Sequence, residues 1–148
     1  MSRLTQFAAG IVVAALAALP LAAQASDPTD IIDYRKHVMK TLGEQTAMMN
    51  AILQNKVPGD NFAVHAEVLA IAASTALFAF KENVEGGESK PDVWAKWPDF
   101  EKKMTEFAAA TADLAKTAKA GGAAAAAPKM QGALTCRGCH ETYRIQKK

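Results

Sequence analysis

Cysteine is almost missing from this chain: two residues in 148, too few for a disulfide framework, so the fold must rest on packing or on something bound to it. Charge of one sign is missing too. Lysine and arginine number 17 against 15 acidic residues, for a formal net charge of +2, and no basic stripe interleaved with aromatics suggests a nucleic-acid partner. Aromatic residues are only 7% of the chain. No segment alternates apolar and polar residues with period two, which argues against a sheet.

A long unbroken small and apolar run lies near the start, from Phe7 to Leu19. It follows Arg3, is interrupted at Pro20, and is followed by Ala23-Gln24-Ala25, which supplies the small residues that signal peptidase reads. The run is short for a membrane span. Residues 1–25 are therefore expected to be a cleavable signal peptide, residues 26–148 a single exported domain with a modest core, and the destination the bacterial periplasm.

Both cysteines fall in one motif, Cys136-Arg137-Gly138-Cys139-His140. C-x-x-C-H is the attachment sequence of a c-type haem. On a helix, positions i, i+3 and i+4 share a face, so Cys136, Cys139 and His140 can address one flat ligand. The thiols would add to the haem vinyl groups as thioethers, with His140 on the iron from the proximal side. Other uses of the motif fit less well. A zinc site needs four ligands, and only His37 and His65 remain as soft candidates, far off and unpaired in spacing. A thioredoxin-like pair would need a preceding strand.

The domain reads as helices throughout. The first is expected from Asp27 or Thr29 to about Asn55, with Ile31, Val38, Leu42, Met49 and Ile52 stepping by threes and fours. Val57-Pro58-Gly59-Asp60 breaks it. The second runs from about Asn61 to Asn83 with Phe62, Leu69, Ala73, Ala76 and Phe80 on one stripe, and the glycine-rich stretch from Glu85 to Pro91 is a loop. The third starts near Asp92. Its seam of Trp97, Phe100, Met104, Phe107, Thr111, Leu114 and Ala118 is that of a left-handed bundle, and Gly121-Gly122 is expected to end it. Residues Ala123 to Ala127 read either as linker or as a first turn, with firm helix from Pro128 and the haem motif carried towards Ile145. The expected fold is all-α, an antiparallel up-down four-helix bundle with haem c near the C-terminal helix.

Three segments in this order resemble one family, the class II c-type cytochromes: cytochrome c′ and its low-spin relatives of the cytochrome c-556 type. Cys136 to Arg144 resembles the family's C-x-x-C-H-x-x-Y-R ending. Tyr34-Arg35 resembles its Y-R-x-x-x-[M/L] segment, and Glu85 to Trp94 is similar to its E-G-G-x-x-x-P-x-[IV]-W loop. The resemblance covers essentially all of residues 26–148.

It implies one covalent haem c per chain and a non-catalytic role, either one-electron transfer with a periplasmic redox partner protein or binding of nitric oxide or carbon monoxide. By the family's register Met39 is the residue that reaches the distal side of the iron. Methionine there is the sixth ligand in the c-556 branch, while some five-coordinate relatives carry methionine without the bond, so ligation and core filling both stay open for Met39. Met48, Met49, Met104 and Met130 suit core positions better. Arg35, one turn before Met39, is expected to pair with a haem propionate. Arg144, one turn past His140, is expected near the proximal face, where its charge favours the reduced state, or else at the helix dipole. Tyr143 and Trp94 read as packing residues, and a homodimer through the first two helices is frequent in the family.

Overall fold

The computed structural model describes residues 26–146; the expected signal peptide and its cleavage point lie outside them. Helix α1, Pro28–Leu53, begins where Asp27 caps it, the carboxylate accepting from Thr29 N at 2.7 Å, with Pro28 in the first turn, where no N–H is required. It ends as Asn55 enters left-handed backbone at φ 55°, a conformation asparagine tolerates better than most residues. Leu42, Met49 and Ile52 are buried as their spacing predicts, and Val38 is half-buried.

Helix α2, Phe62–Ala76, tightens into a 3-10 turn over Leu77–Phe80, three residues short of the expected end. All five predicted stripe residues, Phe62, Leu69, Ala73, Ala76 and Phe80, are buried. The alanines let neighbouring backbones approach closely, and α2 packs against both α1 and α4.

The third helix departs from expectation at its start. Asp92–Ala95 forms a single turn, α3, which breaks at Lys96 (φ −119°, ψ 39°) before α4 starts at Trp97. Pro98 is the reason: its ring would collide with the carbonyl of Trp94 in a continuous helix, whereas in a new first turn it fits. At the far end the helix does stop at the Gly121-Gly122 pair, as its glycines predict. Gly122, at φ 69° and ψ −164°, leaves helical backbone and turns the chain sharply, and a second helix begins at once, so that α4, Trp97–Ala133, is two helices joined at Gly122. Residues Ala123 to Ala127 are thus helix, with Ala126 fully buried and Pro128 inside the segment. The predicted seam holds: Phe100, Met104, Thr111, Leu114 and Ala118 are buried, and Thr111 satisfies its hydroxyl by donating back to the carbonyls of Phe107 and Ala108.

After a break at Leu134 and Thr135, α5 spans Cys136–Tyr143. The fourth rod of the bundle is therefore made of two pieces, the post-kink part of α4 and α5. Among the described residues there is no strand, only isolated bridges between Gly86 and Ser89 and between Ser89 and Arg144.

Candidate haem site

α5 leans on α3 and α4, and its anchor is Tyr143. That ring is 4% exposed and meets Phe100 edge-on, centroids 5.1 Å apart, while its hydroxyl donates to Asp99 Oδ2. Burial, and then the carboxylate acceptor, push the phenol up to about 12. The folded state thus holds this proton more tightly than the unfolded chain does, so its contribution is complete below pH ~10, the ordinary tyrosine value. It is lost as pH rises from there through 12. Tyr143→Phe is expected to lower stability by about 1–2 kcal/mol at neutral pH and to flatten the alkaline fall between pH 10 and 12, read by thermal melts across that range.

The rest of the α5 terminus is tied to the loop before α3. Lys90 N donates to Tyr143 O at 2.9 Å, Lys90 Nζ to Glu141 O at 2.9 Å, and Ile145 N to Glu88 O at 2.8 Å, so carbonyls that a helix end leaves unpaired find donors here. The loop in turn lies on α1. A side chain at Gly86 or Gly87 would meet Ile32 at 2.8 or 3.0 Å, and both glycines have positive φ, 127° and 64°, which makes this pair a place for glycine alone.

This framework holds three chemically distinct donors on α5. Cys136 is exposed, Cys139 half-buried, and neither is in a disulfide. Burial raises the Cys139 thiol above its ordinary value, against an opposing pull from Lys103. His140 is half-buried; burial, aided by Arg144 and opposed by Glu88, lowers its pKa, keeping the imidazole neutral and its lone pair available to a metal. Two unpaired thiols and a neutral imidazole at i, i+3 and i+4 are the donor set haem c requires, so the residues present fit the group.

Met39 lies half-buried on α1 and packs at the edge of the core, as Cys139 does from α5. Met49, Met104 and Met130 are buried, whereas Met48 is 37% exposed and so is not a core residue. His37 is exposed on α1, and His65 Nδ1 sits 2.9 Å from Gln45 Oε1.

Arg35 has a role that the sequence did not disclose. The side chain is 4% exposed and turned into the segment after α2. Nε donates to Ala79 O at 2.7 Å, Nη1 to Val84 O at 2.5 Å and Nη2 to Glu82 O at 2.9 Å. Trp94 and Phe80 flank the guanidinium at 4.9 and 5.4 Å, and Trp94 Nε1 donates to Phe80 O at 2.9 Å. Arg35 is thus a buried clamp on backbone carbonyls, which takes up three of its five N–H donors. Arg144 does lie near His140 and is ion-paired with Glu88. Sequence reasoning missed Glu88 and Asp99: each is a charged residue without a motif letter, and only the fold brings it to α5.

A family model for cytochrome c′ matches residues 30–144. The chain belongs to the cytochrome c′ family. Among relatives of the same kind, cytochrome c′ of Pararhodospirillum photometricum is 34% identical, the match covering 80% of this chain and 99% of that one. Cytochrome c′ of Rhodospirillum rubrum is 32% identical over 90% of this chain and 96% of its own. Cytochrome c-556 of Agrobacterium fabrum is 31% identical, with 78% and 82% covered. In structure, a ferrous variant of Alcaligenes xylosoxidans cytochrome c′ with bound nitric oxide superposes with a TM-score of 0.76 at 23% identity, over 84% of this chain and all of that one. This cytochrome is therefore a monohaem c-type protein on a four-helix bundle, with one covalently attached haem c per chain. Relatives of both the c′ and the c-556 kind match it.

Proposed function

We propose that this cytochrome is a periplasmic one-electron carrier, exported by the segment 1–25, with low-spin iron held between His140 and Met39. Haem c supplies the one-electron iron centre. Cys136 and Cys139 fix it to α5 as thioethers, His140 offers a neutral imidazole, and Met39 offers a soft thioether from α1. The supporting observation is the placement of Met39, half-buried on α1 and packed at the edge of the core, as Cys139 of the haem motif is from α5. The packed bundle keeps these donors from moving far as the iron changes charge, which is the protein's contribution to fast electron transfer.

The second reading is a five-coordinate protein that binds nitric oxide or carbon monoxide, and the nitric oxide complex among the structural relatives favours it. An optical spectrum separates the two. A methionine-to-iron charge-transfer band in the ferric form, with a reduced spectrum indifferent to carbon monoxide, is the expected result. A high-spin reduced spectrum that shifts at once with carbon monoxide would replace the carrier with the gas binder.

We infer further that two copies pair through α1 and α2. The stretch Phe62–Phe80 has a mean hydropathy of 1.7, and its core stripe accounts for one face alone. Val64, Val68, Ile71 and Phe78 run along another, with Ile71 61% and Phe78 64% exposed and Tyr34 of α1 at 52%. Such a run is more than scattered surface apolarity. Ile71→Lys is expected to shift the haem-loaded protein from dimer to monomer in sedimentation velocity without altering its spectrum; a monomeric parent protein at high micromolar concentration would refute the pairing.

A further inference from the structure

Glu88 lies in the loop that the sequence marks by its glycines and proline, and nothing in the motif distinguishes it. In the fold it receives Arg144 twice on one oxygen, from Nε at 2.7 Å and from Nη2 at 2.5 Å. The backbones on both sides are tied as well: Ile145 N donates to Glu88 O at 2.8 Å, and Ser89 bridges to Arg144. The ion pair is thus held by its main chains, unlike a surface contact between two free side chains. Both charges are felt at His140, Arg144 pushing its pKa down and Glu88 pushing it up.

We propose that Glu88 is a positioning residue that pins Arg144 beside the proximal histidine and offsets its charge there, so that the loop, and not α5 alone, sets the reduction potential of the haem. The proposal rests on His140 being the proximal ligand. A bare cation one turn past that ligand favours the ferrous state, and an anion beside it favours the ferric state. Paired, they present a small net field to the iron.

The test is a spectroelectrochemical titration of the haem-loaded protein at low salt. Glu88→Gln leaves the arginine uncompensated and raises the midpoint; Arg144→Gln removes the cation and lowers it. For half-exposed charges, 43% and 38%, each shift is on the order of threefold to tenfold in the ferrous-to-ferric ratio at a fixed applied potential, shrinking as salt is added. The double variant returns towards the parent. A purely structural contact gives another pattern, because either single change loosens the same joint and moves the potential the same way. Shifts of one sign in both variants, or none in either, overturn the proposal. Glu88→Asp and Arg144→Lys retain the charges and are expected to hold the potential even where they lower the melting temperature. They carry the test if the neutral variants fold poorly, and a potential that moves with them also overturns it. Failure of the ligand assignment is a separate result, read as an iron spectrum unchanged in His140→Gly.

Discussion

Replacing Arg35 by methionine is expected to destabilise the haem-loaded protein by about 3–5 kcal/mol, the usual range when one partner of a buried charged network is removed. Methionine fills the space between Trp94 and Phe80, so the loss is one of donors rather than volume. The carbonyls of Ala79, Glu82 and Val84 then have no arginine to accept from, and each unsatisfied buried carbonyl carries a penalty of about 1–3 kcal/mol, relieved in part by water at the outer two. Arg35→Lys is expected to recover only part, since an ammonium on a flexible stem cannot reproduce a planar fork to three acceptors. Urea unfolding followed by far-UV circular dichroism measures both. A variant as stable as its parent, with a changed haem spectrum, would return Arg35 to the haem edge.

The second large effect is spectral. Met39→Leu is expected to abolish the ferric charge-transfer band, turn the reduced spectrum high-spin and open the iron to carbon monoxide, while costing under about 1.5 kcal/mol, because leucine and methionine have similar volumes. The contrast with Arg35 is useful: one variant changes the iron and spares the fold, the other burdens the fold. Spectra that coincide before and after the substitution would mean that Met39 is packing and that the sixth position was never its own.

The bundle could be read from the chain because its seam is written in large side chains. Trp97 to Ala118 steps by threes and fours, and burial follows that spacing, complete at five positions and partial at Trp97 and Phe107. What the chain concealed depends on conformation or on distant partners. Gly121-Gly122 reads as a stop, since glycine is a poor helix former, and the backbone does leave the helix at Gly122; what stayed hidden is that helix resumes at once through an alanine run that reads equally well as linker. Arg35 reads as a propionate partner, and its burial against backbone could not be foreseen because arginine is seldom fully buried and its carbonyl partners lie 44 to 49 positions away. Glu88 and Arg144 are 56 apart, and a charge with no periodic role carries no mark of its partner. Cys136, Cys139 and His140 were legible for the opposite reason: their chemistry is local, contained in one turn and a half of helix.

That same brevity governs how the molecule is assembled. α5 has eight residues, fewer than the roughly 12–15 at which an isolated helix becomes even marginal in water. It is helical because Tyr143 is docked on Phe100 and Asp99 and because the 88–90 loop holds its end. Before those joints close, both thiols belong to a pliant strip of chain within reach of any agent that must handle them. Once they close, Cys139 is already half covered. Attachment of the cofactor is thereby expected to come before these joints close, and a lesion in the Tyr143 joint should spare haem incorporation while lowering the melting temperature of the loaded protein.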